Sequence, residues 1–191
     1  MTSFGQHAEE NLQFIRRTME RSATFTAVPG LGGAGMGGVG LAAAILAATQ
    51  PSAQRWLVVW LFAAAIALAI GITATWRKAA RSGAPLVGGV GRRFALGMAA
   101  PLVAGAAITY ALWRAGDYAV MPPAWLLLYG VGVVIGGMFS APVVRAIGVC
   151  FMAAGFAAIV TPQHWGNSWL AIGFGGLQIG FGIHIARHHG G

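Results

Sequence analysis

Side chains that could carry chemistry are scarce within the long apolar stretches of this chain. The four acidic residues are Glu9, Glu10, Glu20 and Asp117, and all of them lie outside these stretches. Ion-coupled carriers commonly place an ionisable group near the membrane midplane, so the sequence argues against that class. The polar residues within the stretches include Thr73, Thr109, Tyr110, Tyr129, Gln178 and His184.

Three residues form a candidate ligand or packing site within the apolar stretches. Gln178 lies near the middle of the last stretch, where an amide most often hydrogen-bonds a neighbouring helix and less often a ligand. Pro101 is expected to kink the third stretch and to free backbone carbonyls. With Tyr110, these residues are where we expect any bound solute.

Two histidines are weak candidates for metal ligands. His184 and His188 lie four residues apart, which places them on one face of a helix. No cysteine or acidic residue lies near them in sequence, and a basic cluster that reaches into the interface is the plainer interpretation. We therefore predict no metal site.

Two patterns of enzymes occur here without their usual context. Ser140 and His184 resemble the serine and histidine of rhomboid proteases, but the GxSG motif is absent around Ser140. Gly30, Gly32 and Gly35 match GxGxxG, yet they lie within an apolar run of a chain that leaves no room for the sheet that a dinucleotide site requires. The sequence therefore predicts no catalytic residues and no cofactor.

The composition indicates an integral membrane protein. Of 191 residues, 57% are hydrophobic and 8% are charged, whereas an average soluble domain is about 25% charged. Spans of about 20 residues use most of the chain and leave too little for a separate soluble catalytic domain.

Apolar runs bounded by proline and polar clusters predict an all-α, polytopic transmembrane helical bundle with six spans, preceded by a short amphipathic helix. We divide the chain into an amphipathic tail at 1–24, a transmembrane domain at 25–187 and a C-terminal tail at 188–191. The expected spans are 28–49, 56–76, 94–114, 123–140, 143–160 and 167–187.

Lysine and arginine are distributed unevenly between the two sides of these spans. Ten of the 12 fall on the side of the N-terminus, and Arg55 and Arg114 fall on the other. The positive-inside rule then places both termini in the cytoplasm, at the cell membrane.

The formal charge of +8 reflects topology and predicts no nucleic-acid partner. We expect the cations of the second and third spans to meet anionic headgroups; they are Arg77, Lys78, Arg81, Arg92 and Arg93.

Glycine is concentrated in the first, fourth and sixth spans. GxxxG pairs occur at Gly33/Gly37, Gly132/Gly136 and Gly176/Gly180, no more often than this glycine content gives by chance, so they demonstrate no dimer face. Since each half begins with a glycine-rich span of opposite direction, an inverted repeat of the first three and last three spans is one arrangement that the sequence permits.

The N-terminal tail carries an apolar stripe at helical spacing. Ala8, Leu12, Ile15 and Met19 share one face of a helix, and Phe14 widens that face. Its three acidic and three arginine residues cancel in charge, unlike those of a strongly basic headgroup anchor. One hypothesis is that this apolar face packs on lipid or on the protein's own bundle. The other, which we predict, is that the face docks a protein partner.

The string from Glu10 to Gly30, with ENLQFIRRTME followed by FTAVPG, resembles the N-terminal segment of uncharacterised small bacterial six-span integral membrane proteins. No activity is established for that family, so the resemblance implies a topology and supplies no site residues.

These features lead to one main functional hypothesis. We expect a non-enzymatic accessory, regulatory or structural membrane protein that acts through helix packing and protein partners, or as a homo-oligomer. The alternative is a passive channel or carrier for a small neutral or apolar solute.

Overall fold

The computed structural model describes residues 28–82 and 89–188, and these residues are almost entirely helical. Six helical spans are long and apolar enough to cross a membrane, as predicted. The first five are α1 (Gly30–Ala48), α2 (Ala53–Ser82), α3 (Gly89–Ala115), α4 (Met121–Gly137) and α5 (Pro142–Val160). The sixth span, Gln163–His188, contains α6 (Gly166–Leu170), a π-helical segment (Ala171–Leu177) and α7 (Gln178–His188).

The second and third helices extend beyond the predicted apolar runs. α2 continues through Arg77, Lys78 and Arg81, and α3 begins before Arg92. Hydropathy marks where a helix leaves the apolar core of the membrane, whereas backbone hydrogen bonding continues into the polar interface. The predicted tail at 1–24 lies outside the described residues, as do 25–27 and 189–191.

Two helices organise the packing of the bundle. α1 packs against α2 and the sixth span, and α4 packs against α3 and α5. The first three spans and the last three spans therefore pack in a similar way. The third span packs on the fourth, just as the sixth span packs on the first. The repeat is imperfect, since the sixth span also contacts α4 and α5. α2 and α3 follow one another in the chain, yet contacts between them are sparse.

Glycine allows α1 and the sixth span to approach closely. A Cβ on Gly37 would lie 2.7 Å from the backbone nitrogen of Ile179, and one on Gly40 would collide with the carbonyl of Phe174. At the start of the same helix, a Cβ on Gly30 would collide with the backbone of Ala186. The two spans are therefore antiparallel, and their backbones touch along most of α1.

The α4–α5 interface uses glycine in the same way. A Cβ on Gly130 would lie 2.8 Å from the carbonyl oxygen of Gly148, and one on Gly148 would lie 2.7 Å from that of Gly130. Large side chains fill the space between this pair and the sixth span. Phe151, Leu126 and Leu170 are fully buried there.

Two spans contain a feature that alters the regular α-helical hydrogen bonding near their middle. The π-helical segment interrupts the sixth span, and Pro101 lies inside α3. These two spans occupy equivalent places in the repeated packing order. Both irregularities face a glycine-rich helix: Pro101 lies against Gly132 of α4, and Gly175 lies against Leu41 of α1.

The two ends of the bundle differ in composition. We call one the tryptophan end; it carries Trp56, Trp60, Trp113, Trp125, Trp165 and Trp169. We call the other the arginine end; it carries Arg77, Lys78, Arg81, Arg92, Arg93, Arg145 and Arg187. Val28 and His188, the first and last described residues, both lie at the arginine end.

Candidate functional site

The largest polar constellation lies at the tryptophan end and centres on Asn167. The carboxamide oxygen of Asn167 accepts hydrogen bonds from the indole N–H groups of Trp56 at 3.1 Å and Trp60 at 3.0 Å. The amide nitrogen of the same side chain donates to the carbonyl of Ala44 at 2.9 Å. One side chain of the sixth span thus joins α1 and α2.

Aromatic packing extends this constellation to α3 and α4. The Trp56 ring stacks on Trp125, with centroids 5.6 Å apart and planes 4° from parallel. The Trp125 indole donates to the Thr109 hydroxyl at 2.8 Å, and that hydroxyl donates to the carbonyl of Gly105 at 2.7 Å. Five of the six spans are therefore connected at this end by hydrogen bonds and ring stacking.

Sequence reasoning missed Asn167, which stands at the first position of the sixth predicted span. The sequence nevertheless contained a pattern that could have identified this residue. An amide at a span end with several tryptophans at the same level can accept from indole N–H groups, which otherwise find few acceptors in a membrane.

The second polar constellation lies deeper in the bundle. Gln178 is buried, as its place in the middle of the span suggested, and its amide nitrogen donates to the Tyr129 hydroxyl at 2.9 Å. The Tyr129 ring packs against Phe151 and Phe174, with centroids 4.7 Å and 5.1 Å away. The expected bond from Gln178 to a neighbouring helix is thus present, on α4.

The other two members of the predicted ligand or packing site lie at different contacts. Pro101 is buried against Gly132 of α4. Tyr110 is 58% exposed and lies near the tryptophan end beside Trp113, with ring centroids 5.8 Å apart. Among the contacts that the structure records, Pro101, Tyr110 and Gln178 have different partners.

The two candidate metal ligands are close together at the arginine end. The rings of His184 and His188 stack with centroids 4.4 Å apart, and Nδ1 of His188 lies 3.0 Å from the carbonyl oxygen of His184. Over residues 28–82 and 89–188, the structure contains no group of three or more histidine, cysteine or acidic residues able to hold a metal ion. The stacked pair offers two ligands at most.

The predicted headgroup cations have two different environments. Lys78 is half-buried, and its ammonium group donates to the carbonyl of Val28 at 3.0 Å, which ties the start of α1 to the end of α2. Nearby, Ala79 is buried against Val28, Val90 and Phe94. The other four of these cations, Arg77, Arg81, Arg92 and Arg93, are exposed.

The interior polar groups of the described part of the chain are fully used. Across 28–82 and 89–188, every buried side-chain nitrogen or oxygen atom has a hydrogen-bond partner. The interior bonds of Asn167, Gln178 and Trp125 join one helix to another. Such bonds within a membrane stabilise helix packing.

Comparison of the chain with family models, with curated proteins and with solved structures found no match.

Proposed function

We propose that this chain is a non-enzymatic accessory, regulatory or structural membrane protein that acts through contacts with protein partners or with a second copy of itself. The observation that carries the proposal is the complete pairing of the buried polar side chains in the described residues. A catalytic or solute site presents polar groups to its ligand, whereas here the amides of Asn167 and Gln178 hold helices together.

The outer surface supports the same proposal. In the most apolar stretches of α2 and α3, 17% and 11% of the residues are buried, against 44% in the span that contains α4. Two of the six spans therefore offer broad faces to lipid or to other membrane proteins.

The arginine end supplies a further part of the proposal. The exposed guanidinium groups of Arg77, Arg81, Arg92 and Arg93 suit anionic headgroups, and Lys78 contributes charge beside them. With the positive-inside rule, this end faces the cytoplasm and both termini lie there. The multi-pass architecture is then that of a cell-membrane protein.

The tail is the proposed docking element for a partner. Its stripe of Leu12, Phe14, Ile15 and Met19 precedes Val28, whose carbonyl is held by Lys78 at the arginine end. The tail thus joins the described part of the chain at the arginine end, and we propose that its partner binds on that side of the membrane.

Deletion of residues 1–24 tests this proposal. We expect the shortened protein to insert and melt as the full chain does, and to lose a stoichiometric partner on purification in mild detergent. If the shortened protein melts many degrees lower and no partner is lost, the tail is a structural part of the bundle and the proposal fails.

A second candidate function, a passive carrier or channel, is favoured by one observation. A π-helical segment interrupts the sixth span, and Pro101 removes a backbone N–H donor within α3, in two spans with equivalent places in the packing order. In transporters built from inverted repeats, interrupted spans at corresponding positions often border the solute site. π-Helical segments are also frequent at functional sites.

Solute flux distinguishes the carrier from the accessory protein. The measurement is the rate of glycerol entry, as a neutral probe, into liposomes that contain the purified protein. The unmodified protein is compared with Gln178→Leu and with Ser168→Leu, which is a control at an exposed position. Faster glycerol entry than in empty liposomes, lost in Gln178→Leu and kept in Ser168→Leu, supports the carrier. Entry equal to that of empty liposomes supports the accessory protein.

A further inference from the structure

The two long helices that follow one another in the chain pack mainly against other parts of the bundle. α2 and α3 make sparse contacts, although a short connection joins them. At the arginine end the two helices meet where Ala79 packs against Val90 and Phe94. Apolar helix faces that the bundle leaves exposed in a bilayer are covered by lipid chains or by another helix, because neither water nor empty space is stable there.

At the tryptophan end the same two helices border an open groove of about 610 Å³. The first turn of α2 contributes Gln54, and the last turns of α3 contribute Tyr110, Trp113 and Arg114. The chain turns at Gly116, where φ is 77°, and Tyr118 beyond this turn also lines the groove.

The polar groups of this groove are hydrogen-bond donors without partners in the described protein. Across 28–82 and 89–188, the side chains of Gln54, Arg114 and Tyr118 make no hydrogen bond, and the same holds for the Trp113 indole N–H. Trp56, Trp60, Trp125 and Trp169 at the same end all donate their indole N–H to protein acceptors. The groove thus differs from the Asn167 constellation, whose indole N–H donors are bonded within the protein.

The charge of the groove is positive. Arg114 is its cation, and a guanidinium group presents five donors in a fork that matches phosphate. The nearest carboxylate in sequence is Asp117, which makes no ion pair with Arg114 in the described structure and is not among the lining residues.

We propose that this groove binds the phosphate of a phospholipid headgroup, with the acyl chains of that lipid lying along the exposed apolar faces of α2 and α3. Arg114 is the main phosphate ligand, and Gln54 and the aromatic donors surround it. The combination of donors at headgroup level with exposed apolar helix faces beside them fits a phospholipid better than a soluble anion, which uses the groove alone.

The site is tested with the full-length protein in nanodiscs that contain phosphatidylglycerol with a photoactivatable diazirine in its headgroup. After illumination, peptide mass spectrometry measures lipid adducts at residues 110–118 and, separately, at the arginine end. We compare the unmodified protein with Arg114→Gln and with Arg55→Gln, a matched loss of an exposed cation from the same end that does not line the groove.

We expect Arg114→Gln to lower the yield of adducts at residues 110–118 about tenfold, the loss typical of one charge-assisted hydrogen bond. Arg55→Gln is expected to leave this yield unchanged. Adducts at the arginine end, which both variants retain, show that the bundle is folded and inserted. Ala115→Trp, which fills the groove without changing its charge, is also expected to lower the yield at residues 110–118.

Two results overturn the proposal. One is an equal adduct yield in Arg114→Gln and the unmodified protein. The other is full suppression of adducts at residues 110–118 by inorganic phosphate at the concentration at which unlabelled phosphatidylglycerol suppresses them, which would show that the groove selects a free anion.

Discussion

The carboxamide of Asn167 accepts two indole N–H groups and donates to a backbone carbonyl, and these partners lie on α1 and α2. An amide separates its acceptor oxygen from its donor nitrogen, so one side chain reaches partners on two helices at once, whereas a hydroxyl carries both functions on a single oxygen and an aliphatic side chain carries neither. Its removal leaves Trp56 and Trp60 with unpaired donors in a largely apolar setting.

We expect Asn167→Leu to lower the stability of the bundle by about 2 kcal/mol, because three bonds are lost at about 0.6 kcal/mol each within a membrane. The measurement is thermal unfolding in mild detergent. The matched control is Ser168→Leu, which introduces the same side chain at an exposed neighbouring position. Equal melting of the two variants would refute this role of Asn167.

The bond between Gln178 and Tyr129 is suited to a double-mutant cycle. Gln178→Leu and Tyr129→Phe each remove it, and phenylalanine keeps the ring that packs on Phe151 and Phe174. We expect a coupling free energy of about 0.6 kcal/mol, so the double variant costs less than the two single variants added. Strict additivity of the unfolding free energies would show that the bond contributes nothing.

At the residue scale, the sequence predicted that a polar side chain would bond a neighbouring helix, but not which residue it would bond. A buried glutamine within a span must find a hydrogen bond, so helix-to-helix bonding by Gln178 was predictable. Its partner Tyr129 was not, because the rotation of α4 about its axis depends on how all the helices pack. The groove around Arg114 was equally hidden, since it depends on the separation of α2 from α3.

At the scale of single helices, the same residue type has two different uses. Gly33 and Gly37 of α1 face the sixth span, whereas Gly176 and Gly180 have open space where a side chain would begin. Sequence spacing alone does not separate these cases. Span positions were predictable because hydropathy and proline mark them; the π-helical segment was not, because its glycine-rich sequence is equally compatible with an α-helix.

Neighbouring glycines on α1 provide a controlled test of close packing. A methyl group at Gly40 would collide with the Phe174 carbonyl, whereas one at Gly38 meets nothing within 4 Å. We expect Gly40→Ala to destabilise the bundle by about 1–3 kcal/mol, as overpacking of an interior does. Gly38→Ala is expected to be neutral or slightly stabilising, because alanine favours helix. Equal melting temperatures in detergent would contradict the close approach of α1 and the sixth span.

At the scale of the whole molecule, six spans place Val28 and His188 at the same end. From the positive-inside rule we propose that this end faces the cytoplasm. Reporter fusions after Gly191 and within residues 82–91 are therefore expected to report the cytoplasm, and fusions near Pro51, Asp117 and Gln163 the opposite side. A cytoplasmic signal at Asp117 would overturn the six-span topology.

We propose that interior polar groups serve packing while partners bind at the surface, with the N-terminal stripe as the docking element. The most direct measurement compares two variants for retention of a stoichiometric complex in mild detergent, with melting recorded on the same samples. The account predicts that Leu12→Glu with Ile15→Glu loses the complex and melts normally, whereas Gln178→Leu melts lower and keeps the complex. Loss of the complex in Gln178→Leu together with its retention in the tail variant would contradict the account.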